Sequence, residues 1–258
     1  MKNILVSIVI FFSCNTYSQS IMSYLDFGKN PDFSSNKLVS EMIIYRTYYY
    51  SKKVEKVKEI ISYNFHNNLT IRNRYDDKNI LQQRLSRVYD STGTVNLFRK
   101  LETWHPIIGH FYDTYFYQYD SNGFLSGIVE KDENNNINRK TTIINNEKGH
   151  PIELSIYIGN EMQGRETAEY DYEKNEVFIQ YFNKQGAFFN SATSKIESSI
   201  SEPTDVLNEY GDIIKSTKYE KTIKYDKFGN WIKEVYSVLK SGKFVKSSET
   251  TRVIKYRK

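Results

Sequence analysis

The sequence predicts an all-β protein, an antiparallel meander of repeated hairpins forming a long twisted, curling sheet. Three observations carry this. Segments such as Thr222-Ile223-Lys224-Tyr225 alternate polar and apolar residues, the two-residue period of a half-buried strand. Asp or Asn followed three residues later by Gly recurs along the chain between such segments. The composition is rich in β-formers, with 22 Tyr and 15 Phe, while Ala, the best helix former, occurs only at Ala168, Ala187 and Ala192.

The turn pattern is clearest at Tyr225-Asp226-Lys227-Phe228-Gly229-Asn230-Trp231. Asp226 is placed to accept hydrogen bonds from backbone N–H groups further along, closing an Asx-type turn. Gly229 falls where a type I turn needs positive φ to rejoin the ladder through a one-residue bulge. Glycine adopts that conformation without the roughly 1–2 kcal/mol that a Cβ would cost. Tyr89-Asp90-Ser91-Thr92-Gly93 and Tyr119-Asp120-Ser121-Asn122-Gly123 repeat the plan. Degenerate copies with Asn in place of Asp start at Asn146, Asn183 and Asn208 and end at Gly149, Gly186 and Gly211.

This series resembles the YD repeats of the RHS family. The resemblance implies a β-hairpin repeat protein of the bacterial cell envelope. The Arg-Leu that commonly follows the family's glycine is absent, and the chain is too short to close a shell, so encapsulation is not implied.

The N-terminus reads as a targeting segment. Lys2 supplies a positive charge, and Ile4 to Phe12 is an apolar run. Nine helical residues span roughly 14 Å, well short of the ~30 Å bilayer core. The run therefore reads as a signal peptide, with no membrane span. Two exits compete. Small residues at Thr16 and Ser18 suit cleavage after Ser18, giving a signal peptide over 1–18 and a single all-β domain over 19–258. Alternatively, Phe11-Phe12-Ser13-Cys14 resembles a lipobox, giving a leader over 1–13 and a lipid anchor on Cys14. Cys14 is the sole cysteine, so the mature domain is expected to hold no internal disulfide.

Residues 20–37 read as an irregular lead-in. Strands follow, first from Leu38 and then over Val57 to Phe65. In the second, Val57, Ile61, Tyr63 and Phe65 share one face, although Val54, Val57 and Ile61 also fit a helical stripe. Asn67-Asn68 reads as a turn, Asp76 to Asn79 as a connection, and Asp132 to Asn136 as an outer loop. The segment from Asn190 to Thr204 reads either as a longer strand or as a link between two halves of the sheet. Roughly 12–16 strands are expected.

No Gly-x-Ser-x-Gly elbow, P-loop or His-Glu-x-x-His occurs, so no catalytic residue is assigned. His105 and His110 are five apart, which suits metal ligation on neither a helix nor a strand. Asp132-x-Asn134-x-Asn136 lacks the glycine and terminal glutamate of a calcium loop. No metal or cofactor is expected. Carboxylates cluster at Glu166, Glu169, Asp171, Glu173 and Glu176, which read as solvated faces, with a glycosidase pair as the sharper alternative. The formal net charge of +5 comes from interspersed charges and points to no nucleic-acid partner.

The aromatic run Phe111 to Tyr119 is the candidate binding surface. Alternation puts Tyr115, Tyr117 and Tyr119 on one face and Tyr112 and Phe116 on the other. Such rings form either a cross-strand ladder or a flat strip that stacks on sugars or meets a protein. Lys233 beside Glu234, and Arg252 with Lys255, put charge on both faces of their strands and disfavour a porin-like barrel. The expected function is an exported, non-catalytic binding or structural module of the cell envelope, in the periplasm, on the outer membrane surface or outside the cell. Glycan and envelope protein are the partner classes. The alternatives are a glycan-acting enzyme of unrecognised type and an accessory or immunity-like partner of a larger repeat protein.

Overall fold

The computed structural model describes residues 20–25, 33, 37–51, 53–196 and 205–258. The leader, both of its proposed exits and Cys14 lie outside the described residues. Among the described residues, one short helix is followed by seventeen strands in a single antiparallel meander sheet. In chain order these are α1 (Ile21–Leu25), β1 (Val39–Tyr49), β2 (Val54–Tyr63), β3 (Leu69–Tyr75), β4 (Leu81–Tyr89), β5 (Asn96–His105) and β6 (Gly109–Tyr119). Then come β7 (Leu125–Lys131), β8 (Ile137–Asn145), β9 (Pro151–Ile158), β10 (Glu161–Asp171), β11 (Glu176–Asn183) and β12 (Phe188–Lys195). The last five are β13 (Val206–Leu207), β14 (Ile213–Lys215), β15 (Tyr219–Tyr225), β16 (Trp231–Lys240) and β17 (Lys243–Tyr256).

The all-β meander is the fold the alternation predicts. The strand number exceeds the expected range because β13 and β14 are only two and three residues long, too short to show a period. Residues 54–63 form a strand and not a helix. Val57, Glu59, Ile61 and Tyr63 take its buried face, whereas Phe65 lies past the strand end, 70% exposed in the turn.

Nine hairpin turns among the described residues share one hydrogen-bond plan. They begin at Asn64, Asp76, Asp90, Asp120, Asp132, Asn146, Asn183, Asn208 and Asp226. In each, the fourth residue's N–H donates to the first residue's carbonyl, and the first side chain's Oδ1 accepts from backbone N–H groups further along. At the last, Asp226 Oδ1 accepts from Phe228 N at 2.9 Å and Asn230 N at 3.1 Å. Gly229 has φ +82°, and Gly93 and Gly123 have φ +77° and +81°. Asn67, Asn79 and Asn135 fill the same left-handed position in three turns that lack glycine, as short polar side chains tolerate. Register shifts fall at Ser62/Tyr63, Arg74/Tyr75, Val88/Tyr89 and Lys224/Tyr225, where the strand after the turn carries the extra, bulged residue: Thr70, Gln82, Leu97 and Ile232.

The described residues form two compact units. One contains 20–25, 117–129 and 137–196. Its core is Ile21, Leu25, Ile143, Leu154, Ala168, Val177, Ile179 and Ile196. The sequence reading missed α1, whose five residues are too few to display a period. Ser20 carbonyl accepts from Ser23 N and Tyr24 N to close the turn. Ile21 and Leu25, one turn apart, face β9 and β10, and Ile21 N donates to Glu166 Oε2 at 2.8 Å.

The other unit contains 33, 37–51, 53–116, 130–136 and 205–258. Val39, Met42, Ile44, Ile61 and Tyr63 make its core. In it β1 pairs with β2 on one side and with β17 on the other, so the first and last strands are neighbours.

Candidate binding site

The five aromatic residues singled out in the sequence all lie on β6, and none is a bare flat platform. Alternation turns Tyr117 into the protein, where it is 9% exposed, and leaves Phe116 38% exposed. Tyr112, Tyr115 and Tyr119 are half-buried. Lys100 Nζ sits 3.7 Å from the Tyr112 ring centre, and the Arg99 guanidinium 4.3 Å from that of Tyr115. Phe116 packs on Phe98 across the strands at 5.5 Å, with Lys131 Nζ 5.3 Å from its ring centre. These are cross-strand pairs with cations over the ring faces, where the π-electron density attracts them.

Tyrosines at strand ends do something the sequence reading did not foresee. Each reaches the turn at the start of a neighbouring strand. Tyr89 hydroxyl donates to Leu69 carbonyl at 2.8 Å, and Tyr170 hydroxyl to Pro151 carbonyl at 2.7 Å. Tyr225 hydroxyl donates to Asp212 and accepts from Asn208 Nδ2. Tyr256 hydroxyl donates to Asp226 and accepts from Asn230 Nδ2 at 2.8 Å. Burial, and then the acceptor carboxylate, push the Tyr225 and Tyr256 hydroxyls up to about 12. The turn-forming Asp226 thus holds two backbone donors and one hydroxyl, and serves architecture.

The carboxylate cluster disperses in the same way. Glu166 is half-buried against α1, and this desolvation raises its pKa above the usual carboxylate range. Asp171 pairs with Lys174 at 2.6 Å, which holds its carboxyl below that range, and Glu176 pairs with Lys195 at 3.3 Å. His105 Nδ1 accepts from Ile107 N and Ile108 N, both at 3.2 Å, an arrangement that closes the β5–β6 turn. His110 stacks on Trp104 at 4.8 Å. Among the described residues, no three His, Cys, Asp or Glu side chains converge as metal ligands.

A cavity of about 510 Å3 does form, at the ends of β2, β3, β4 and β5. Polar and apolar atoms share its wall about equally, and its polar residues include Glu55, Arg74, Asp77, Gln83, Thr103 and His105. The aromatic rings of Tyr75 and Trp104 also border it, each with a cation near its face: Lys58 Nζ at 5.5 Å and the Arg84 guanidinium at 5.7 Å. Asp76 is committed to its turn through Lys78 N and Ile80 N, and to Gln82 Nε2 at 3.0 Å. Glu55 is paired with Lys53 at 3.3 Å. Gln83, opposite Thr103 across the strand pair, contributes an amide beside a hydroxyl. The wall therefore presents neutral donors and acceptors flanked by both signs of charge. No sequence motif marks it, because its residues come from four strands and meet only through register.

No helix among the described residues is long and apolar enough to cross a membrane. No family model and no curated protein sequence matches this chain. Among solved structures, a porin-like protein from Bacteroides uniformis is similar at 12% identity and a TM-score of 0.43, over 84% of this chain and 96% of that one.

Proposed function

We propose that this chain is an exported, non-catalytic binding module of the bacterial cell envelope, and that its ligand is a glycan. The carrying observation is the cavity at the ends of β2 to β5, with an amide, a hydroxyl and charged groups on its wall and two aromatic rings at its border. Sugar hydroxyls need alternating donors and acceptors, and their C–H faces pack on rings. Two of the three lining carboxylates are occupied, Asp76 by its turn and Glu55 by Lys53. That favours holding a ligand over proton transfer to it. Export rests on the Lys2 and Ile4–Phe12 leader pattern, with either cleavage after Ser18 or lipidation at Cys14.

The test is a glycan array followed by calorimetry on the leaderless chain. A bound oligosaccharide should lose at least about tenfold in affinity with Gln83→Ala or Trp104→Ala, a loss of some 1.4 kcal/mol. The melting temperature should stay within about 2 °C, since both residues border solvent. Prolonged incubation should return the oligosaccharide intact. Hydrolysis of it would replace this reading by the glycan-acting enzyme, and affinity unchanged in both variants would remove the cavity from the account.

A further inference from the structure

We propose a second binding site, for a small oxyanion such as a phosphate or carboxylate group, between Arg87 and Arg99. Arg87 on β4 and Arg99 on β5 are directly opposite in register. They share a sheet face with the buried Leu85 and its partner Leu101, two residues along each strand. Tyr115, opposite Arg99 on β6, covers one guanidinium with its ring at 4.3 Å. Like charges directly opposite on a half-buried face repel and destabilise the sheet. Among the described residues, neither guanidinium has a carboxylate at ion-pair distance, whereas Arg46 on β1 has Glu59 at 2.5 Å. The Nε–H of Arg87 and that of Arg99 are both buried without an acceptor.

Arg165 and Arg257 also bury an Nε–H without an acceptor, but Arg87 and Arg99 add a like charge directly opposite, and that combination calls for an explanation. Guanidinium forks carried by two residues opposite in register supply several N–H donors that match the oxygens of a phosphate or carboxylate. An oxyanion between them removes both anomalies at once, supplying acceptors to the Nε–H groups and charge to the pair. The site is distinct from the cavity, whose lining on these strands is Gln82, Gln83, Thr103, Trp104 and His105. It does not depend on the glycan reading. One source is a free anion; the other is an acidic group carried on a sugar.

The test is thermal unfolding of the leaderless chain in a buffer free of oxyanions, titrated with inorganic phosphate and, separately, with glucuronate. Chloride at equal ionic strength controls for screening. Either probe at ten times its Kd should raise the melting temperature by about 3 °C or more. Phosphate alone acting indicates a free anion, and glucuronate acting more strongly indicates an acidic sugar. Arg87→Gln separates the proposal from a structural role through its sign. It should raise the melting temperature without anion, by relieving repulsion, and abolish the anion-dependent shift. Arg99→Gln should abolish that shift as well. The proposal is overturned if neither probe exceeds chloride, or if the shift survives in both variants. It is equally overturned if Arg87→Gln lowers the anion-free melting temperature.

Discussion

At Asp226 one carboxylate does the work of a small network. Oδ1 gathers Phe228 N and Asn230 N, and the other oxygen takes the hydroxyl of Tyr256 from the neighbouring strand end. Asp226→Ala removes all three and should cost on the order of 1 kcal/mol or somewhat more, since buried donors are left unmet. Asp226→Asn should be milder because the amide oxygen still closes the turn. Gly229→Val should cost about 1–3 kcal/mol, from a β-branched residue held at φ +82°. Urea unfolding of the three variants checks the order. A Gly229→Val change as mild as Asp226→Asn would contradict the strain argument. The Tyr-Asp pairing in the sequence acquires a reason here. Asp closes its own turn, while the hydroxyl of the preceding Tyr fastens a turn already made.

Among the elements, α1 and the hairpins show where sequence is informative and where it is silent. Asp-x-x-Gly spacing is local, so the glycine turns could be located without a structure. Asn67, Asn79 and Asn135 carry the same geometry without the glycine that signals it. Periodicity marks long strands, but a two-residue strand or a five-residue helix offers too little chain to show one. The aromatic run on β6 was legible as a strand face, yet the cations over its rings come from Arg99, Lys100 and Lys131 on other strands. The cavity was illegible for the same reason. α1 itself is expected to matter more than its length suggests. Ile21 has no exposed surface, so Ile21→Ala should destabilise by about 2–5 kcal/mol. Differential scanning calorimetry checks this, and a change below about 1 kcal/mol would mean that α1 is not part of the core.

For the whole molecule, the proposed export is tested at the N-terminus. Mass spectrometry of the exported chain should find residues 1–13 gone. A free chain beginning at Gln19 means secretion, and a diacylated Cys14 means anchoring; intact Met1 would exclude both exits. Once folded, β17 lies between β16 and β1. The Lys255–Glu41 ion pair closes a separation of 214 positions along the chain. Pairings so remote in sequence form slowly, because most of the polypeptide must be ordered before they are rewarded. Until β17 has been synthesised, β1 and β16 each present an unoccupied row of N–H and C=O groups, a template for joining another chain. Synthesis of β17 therefore ends a period of vulnerability to aggregation that began with β1.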